Sequence, residues 1–172
     1  MNKLRPGTLP LLVLVIVVVI AVDQATKIAI LEAFRPGESL VIVPGLFSLV
    51  LNYNPGAAFG MLAGADPLVR TVILGATTII ALGFICFFLF HDYYENRVGQ
   101  VALALLLGGA VGNLIDRVRF GQVVDFLDFY VRGYHWPAFN VADSCICVGV
   151  FVLILWQPKK ANAVTAAVEP GN

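Results

Sequence analysis

Phe139-Asn140-Val141-Ala142-Asp143-Ser144 opens the last long apolar run of the chain, which continues through Cys145, Val150, Phe151 and Leu155 to Trp156. A carboxylate inside such a run costs roughly 2.5–3.5 kcal/mol at the centre of a membrane helix. Two readings offset that cost. In one, Asn140 caps a helix and Asp143 sits in its first turn, where the dipole favours a negative charge. In the other, Asp143 is a reacting carboxylate facing a partner. Both make the stretch the start of a membrane helix, and the fold follows from finding the other segments of the same kind.

The 172 residues are 59% hydrophobic and only 13% charged, and the mean hydropathy is +0.88, which describes a membrane protein. A formal net charge of zero leaves no basic face for nucleic acid. Cys86, Cys145 and Cys147 lie in apolar runs, and His91 and His135 are far from them and from each other. No disulfide framework and no metal site follows, and no cofactor is expected. Cys145 and Cys147 read as small apolar packing residues.

Four segments have about the 20 apolar residues a bilayer span needs: 10–31, 67–90, 98–115 and 138–156. The expectation is an all-α membrane protein, one domain over 1–172, with a small β region at 38–62 between the first two helices and a disordered tail at 158–172. Lys3 and Arg5 before Leu11–Val22 also resemble a secretory signal peptide. A retained helix is the better reading, because apolar residues resume after Lys27 and no clean cleavage site is visible. Asp23 and Lys27, four apart on one helix face, partly neutralise each other.

Basic residues are balanced between the two sides. Lys3, Arg5, Arg97, Lys159 and Lys160 face Arg35, Arg70, Arg117, Arg119 and Arg132. The first helix and the short connection at Arg97 break the tie and place both termini in the cytoplasm. Helix parity then collects Asp23, Asn113, Asp116, Arg117, Asn140, Asp143 and both longer connections at one membrane face. A site working at an interface has this pattern, whereas an ion pathway spreads carboxylates over several depths.

The first long connection is structured. Leu40–Val43, Pro44-Gly45 and Leu46–Leu51 read as two strands around a turn, broken by Asn52-Tyr53-Asn54-Pro55-Gly56 and followed by the small apolar stretch Ala57–Leu62. Asn54 beside Gly56 allows close backbone approach to a ligand, although Asn is also an ordinary turn residue. The second helix reads as scaffold in contact with lipid. In the third, Gly108 and Gly112 form a small-xxx-small packing face, and Asn113-Leu114-Ile115-Asp116-Arg117 ends it. Adjacent helix residues do not share a face, so Asp116 needs a partner other than Arg117. Arg117 is suited to snorkelling or to an anionic group. Gly121–Tyr130, with Asp125 among apolar residues and Asp128 three further on, reads as an amphipathic segment lying flat in the interface. Tyr134 and Trp136 suit a headgroup belt.

No serine–histidine or metal constellation accounts for these polar residues, and paired carboxylates remain. Two close carboxyl groups share a proton: the ionised one takes a proton from water while the protonated one hydrogen-bonds the carbonyl under attack. Asp143 is one member. Asp125, Asp128, Asp116 and Asp23 are candidates for the other, and chain connectivity prefers Asp125 or Asp128.

Asp23-Gln24-Ala25-Thr26-Lys27, Asn54-Pro55-Gly56-Ala57-Ala58-Phe59, Gly112-Asn113-Leu114-Ile115-Asp116-Arg117, Val124-Asp125-Phe126 and Phe139-Asn140-Val141-Ala142-Asp143-Ser144 occur in this order. Together they resemble the lipoprotein signal peptidase (signal peptidase II) family over nearly the whole chain. The resemblance implies a bacterial inner-membrane aspartic endopeptidase acting on diacylglyceryl-modified prolipoproteins. Membrane lipids are its other expected partners, and the chain is expected to be a monomer. It implies a cut on the amino side of the lipidated cysteine and an active site near the periplasmic face. By matching position, Asp125 and Asp143 are the catalytic dyad, and Asn54, Gly56, Asn113, Arg117 and Asn140 bind substrate or orient the dyad. Asp23, Lys27 and Asp116 are structural, and the hairpin is an extracytoplasmic β-cradle. Two other functions compete: a proton-coupled transporter using Asp23, Asp116 and Asp143, disfavoured by the one-faced polarity, and a noncatalytic scaffold indifferent to loss of either Asp125 or Asp143.

Overall fold

The computed structural model describes residues 8–56, 62 and 64–156. Most of the small apolar stretch Ala57–Leu62 and the expected tail at 158–172 lie outside the described residues. Eight elements follow in order: α1 Thr8–Ala33, β1 Ser39–Val43, β2 Phe47–Asn54, α2 Pro67–His91, α3 Arg97–Phe120, β3 Val123–Val131, β4 Tyr134–His135 and α4 Val141–Leu155.

Helices α1, α2 and α3 are long and apolar enough to cross a membrane. Their hydrophobic residues lie all round rather than along one stripe, as expected where the surroundings are lipid. Most of α2 is exposed apart from Leu74, Ile85 and Leu89, which suits its reading as scaffold. The most buried of the three is α3, packed against α1, α2 and α4. Its glycines permit this. A Cβ on Gly108 would lie 2.8 Å from the Val19 side chain, and one on Gly109 would lie 2.5 Å from the Ala142 carbonyl oxygen. The small-residue face therefore packs on α1, and its neighbour Gly109 packs on α4.

Two helix boundaries differ from expectation. α3 runs to Phe120 rather than stopping near 115. Gly121 terminates it in the left-handed conformation, φ 68°, donating its N–H to the Arg117 carbonyl, with Arg117 and Arg119 in the last turn where cations are favoured. α4 has 15 residues and begins at Val141 rather than 138. Asn140 is its N-cap with extended backbone, and Phe139 is held as a β-bridge to Leu127, so the preceding residues belong to the sheet side of the junction.

The β structure is larger than the expected hairpin. Four antiparallel strands lie in the order β1-β2-β3-β4. The Pro44-Gly45 turn forms as read: Leu46 N–H donates to the Val43 carbonyl at 3.1 Å, and Gly45 has φ 78°, the type II requirement. β2 does not break at Asn52. It continues to Asn54, pairing Asn52 with Asp125, Tyr53 with Val124 and Asn54 with Val123. The segment expected to lie flat is instead strand β3. Its alternation turns Val124 and Phe126 into a cluster with Ile30 and Leu51, which leaves Asp125 on the opposite face. Residue-level polarity suggested an amphipathic surface segment, but the open edge of β2 offered backbone hydrogen bonds that only pairing satisfies.

Candidate active site

Three elements meet where the sheet joins the helix bundle. Asp125 projects from β3 and Asp143 from the first turn of α4. Phe139 brings them together: its carbonyl accepts the N–H groups of Phe126 and Leu127, and its own N–H donates to the Leu127 carbonyl. Stacking of Phe129 on Phe139, with centroids 5.9 Å apart, supports the same junction. Asn140 is thereby held beside Asp125.

Asn140 is fully buried and joins the two carboxylates. Its Nδ2 donates to Asp125 Oδ1 at 2.8 Å and to Asn113 Oδ1 at 3.1 Å. Its Oδ1 accepts the Asp143 backbone N–H at 2.9 Å, while Asp143 Oδ2 accepts the Asn140 backbone N–H at 3.3 Å. This is a reciprocal capping box. Asn54 Nδ2 donates to Asp125 Oδ2 at 3.0 Å from across the β2–β3 pair, and Asn54 Oδ1 accepts the Gly56 N–H at 3.1 Å. From α3, Asn113 Nδ2 donates to Asp143 Oδ1 at 2.7 Å. Each carboxylate is therefore held by two donors.

Both aspartates line a cleft of about 520 Å³ together with Asn54, Gly56, Asn113, Arg117, Trp136, Phe139, Ile146 and Cys147. Arg117 sends Nη1 toward the Asn113 carbonyl at 3.4 Å, and its buried Nε has no hydrogen-bond partner among the described residues. Burial, and then the charge of Asp143, push the Asp125 carboxyl from its ordinary 3.8 to about 7, against the opposing pull of the Asn54 and Asn140 amides. A carboxyl in that range holds or releases a proton near neutrality, as acid–base chemistry on a peptide bond requires.

The other carboxylates have different partners. Asp23 and Asp116 both pair with Lys27, at 2.9 and 2.8 Å, so the i,i+4 pair read along α1 is completed from α3. Asp128 is bound by His135 Nδ1 at 2.9 Å under the stacked Tyr130 ring. The expected site residues Asn54, Gly56, Asn113, Arg117, Asp125 and Asp143 are thus gathered on the cleft, while Asn140 stands behind it and touches the aspartates. The sequence reading missed the roles of Gln24, which donates to both Asp23 and Asp116, and of Ile146 and Cys147, which line the cleft. Cys147 is exposed on the cleft. Positions three and four beyond Asp143 share its helix face, and that spacing is the signal that finds them.

These features define a helical membrane protein carrying a carboxylate-lined cleft at one end of its bundle. Comparison with known proteins names the family. The model of the family described as signal peptidase (SPase) II matches residues 15–158, and the chain belongs to that family. A protein of Syntrophotalea carbinolica called lipoprotein signal peptidase is 51% identical over 86% of this chain and 90% of its own length. One of the same name from Ralstonia nicotianae is 52% identical over 85% and 83%. Two solved structures of bacterial membrane enzymes superpose with TM-scores of 0.77 and 0.76 at 37% and 38% identity, covering 90% of this chain and 89% and 94% of theirs.

Proposed function

We propose that this chain removes signal peptides from diacylglyceryl-modified bacterial prolipoproteins, cutting on the amino side of the lipidated cysteine, with Asp125 and Asp143 as the catalytic dyad. The observation that carries this reading is the convergence of two aspartates, buried Asp125 from β3 and half-buried Asp143 from α4, on a single cleft. The pair shares one proton near neutral pH. The ionised member accepts a proton from water, the water oxygen attacks the scissile carbonyl, and the protonated member hydrogen-bonds the oxygen on which charge develops. Proton return to the leaving nitrogen completes cleavage. Arg117 and the Asn54–Gly56 segment face the same cleft and are placed to hold the substrate backbone.

The substrate's acyl chains remain in the bilayer, so its scissile bond sits near an interface, and anchoring it there orients it for attack. In the proposed topology, one domain crosses the membrane four times with both termini cytoplasmic and acts as a monomer. Helices α1 to α3, at 26, 25 and 24 residues, exceed the roughly 20 needed to span. The 15 residues of α4 reach about 22 Å, and its span is completed through the junction at Asn140. The sheet rests on the outer surface of the membrane, presenting exposed Leu40, Val41, Ile42, Tyr134 and Trp136 to the headgroup region.

The test is cleavage of a diacylated lipobox peptide by the purified full chain. Asp125→Asn and Asp143→Asn are each expected to lower the rate by about 10²–10⁴-fold while the protein still inserts. Cleavage by either variant at the wild-type rate removes that residue from the dyad.

A further inference from the structure

Behind the dyad lies a second polar cluster that the reaction above does not use. Lys27 is 2% exposed and is among the largest fully buried side chains, in a helix whose other buried residues include apolar Leu12, Val19 and Ile30. A buried ammonium is costly unless its three protons are satisfied. Here all three find acceptors: Asp23 Oδ2 at 2.9 Å, Asp116 Oδ2 at 2.8 Å and Asn113 Oδ1 at 3.1 Å.

The third contact bears on the site. An asparagine amide can present either end to a neighbour, but a lysine has no acceptor to offer. Lys27 therefore fixes the oxygen of Asn113 inward, with Asn140 Nδ2 donating to the same oxygen at 3.1 Å. The amide nitrogen is left facing Asp143 Oδ1 at 2.7 Å. The two carboxylates of the cluster act on the dyad's backbone. Asp23 Oδ1 accepts the N–H of Ala142 at 2.9 Å, next to Asp143, and Asp116 Oδ2 accepts the N–H of Val124 at 3.1 Å, next to Asp125. Gln24 ties both carboxylates together.

We propose that Lys27 is a positioning residue for peptide cleavage: it sets the polarity of the Asn113 amide toward Asp143 and, through Asp23 and Asp116, holds the two backbone segments that carry the dyad. This rests on the dyad reading above. The charged groups around Lys27 and the dyad are Asp23 on α1, Asp116 and Arg117 on α3, Asp125 on β3 and Asp143 on α4. The Lys27 charge also favours the ionised form of Asp125.

The experiment compares wild type, Lys27→Met, Asn113→Ala and the double variant as full chains, using a diacylated lipobox peptide across a pH range. Lys27→Met is expected to lower kcat by about tenfold or more with KM within about twofold, and to move the alkaline limb of the profile up by about one pH unit. In the Asn113→Ala background the same substitution is expected to cost less, about threefold, because the route through the amide is already gone and only the one through Asp23 and Asp116 remains. A second variant, Asp23→Asn/Lys27→Met/Asp116→Asn, keeps oxygen acceptors for the Ala142 and Val124 N–H groups and removes the buried charges. It decides the question if Lys27→Met does not insert, with the same kcat loss expected at unchanged KM. A purely structural Lys27 gives losses that track the folded fraction, a wild-type pH profile and equal cost in both backgrounds, and that result overturns the proposal. The dyad reading stands or falls separately, on whether wild type cleaves and Asp125→Asn does not.

Discussion

Replacing Asn140 separates its two jobs, cap of α4 and hydrogen-bond donor to Asp125. In Asn140→Ala the cap is lost, at a cost of about 1 kcal/mol. The donors to Asp125 Oδ1 at 2.8 Å and Asn113 Oδ1 at 3.1 Å vanish inside a buried site, where a hydrogen bond to a charged group is worth about 1.5–3 kcal/mol. The combined loss is about 3 kcal/mol, a large fraction of the stability of a domain. In Asn140→Ser the cap survives, since serine caps about as well as asparagine, but the shorter side chain does not reach Asp125. The serine variant is therefore expected to be about 1 kcal/mol more stable than the alanine variant in detergent unfolding. Both are expected to share one catalytic signature. The Asn140 amide draws the Asp125 pKa downward, so its removal raises that value further, by about one unit for a lost interaction near 1.4 kcal/mol. The alkaline limb of the cleavage profile then moves up by about one pH unit in both variants, with kcat reduced about 10- to 100-fold. An unmoved pH profile in the serine variant, with cleavage otherwise impaired, would refute the claim that Asn140 acts on Asp125.

The raised Asp125 carboxyl also predicts how stability responds to pH. Between its ordinary 3.8 and about 7 the folded chain holds a proton that the unfolded chain has released, so stability falls as pH rises through that window, by about 4 kcal/mol in all. Asp125→Asn is expected to abolish most of this slope, as read by thermal unfolding at pH 4 and pH 8. A Cβ on Gly109 would meet the Ala142 carbonyl oxygen at 2.5 Å, whereas Gly75 and Gly83 have nothing within 4 Å. Gly109→Ala is therefore expected to cost about 1–3 kcal/mol and to impair cleavage, while Gly75→Ala gains up to about 1 kcal/mol, both measured by unfolding midpoint. Asp128→Asn is expected to retain cleavage within about threefold, because its carboxylate is engaged by His135 rather than by the dyad; loss on the scale of Asp125→Asn would reopen the pairing.

Much of the fold was legible because membrane helices announce themselves by length and continuous apolar character, which require no tertiary information. The Pro44-Gly45 turn was equally local, as was the capping role of Asn140. The extent of α3 was misjudged, because Asn113, Asp116 and Arg117 look like the polar end of a helix. In the fold Asp116 is neutralised by Lys27 and the helix continues to Gly121. β3 was missed because strand pairing is non-local: the pattern of residues 121–130 gives no sign that β2 offers it an open edge.

The order of apolar segments, the collection of polar residues at one face and the short list of candidate carboxylates were determined by the sequence alone, since they depend on composition, spacing and helix parity. Which carboxylate faces Asp143 was left open by that physics, and the family resemblance named Asp125. In the tertiary structure the register of β3 against β2 turns Asp125 one way and packs Val124 and Phe126 the other. The Phe139 bridge then brings Asn140 and the start of α4 to the same place, while Asp23 and Asp116 are drawn to Lys27 and Asp128 to His135. The physical reason is that a buried charge must be satisfied by whatever lies nearest in space, and that neighbour is set by packing rather than by position along the chain.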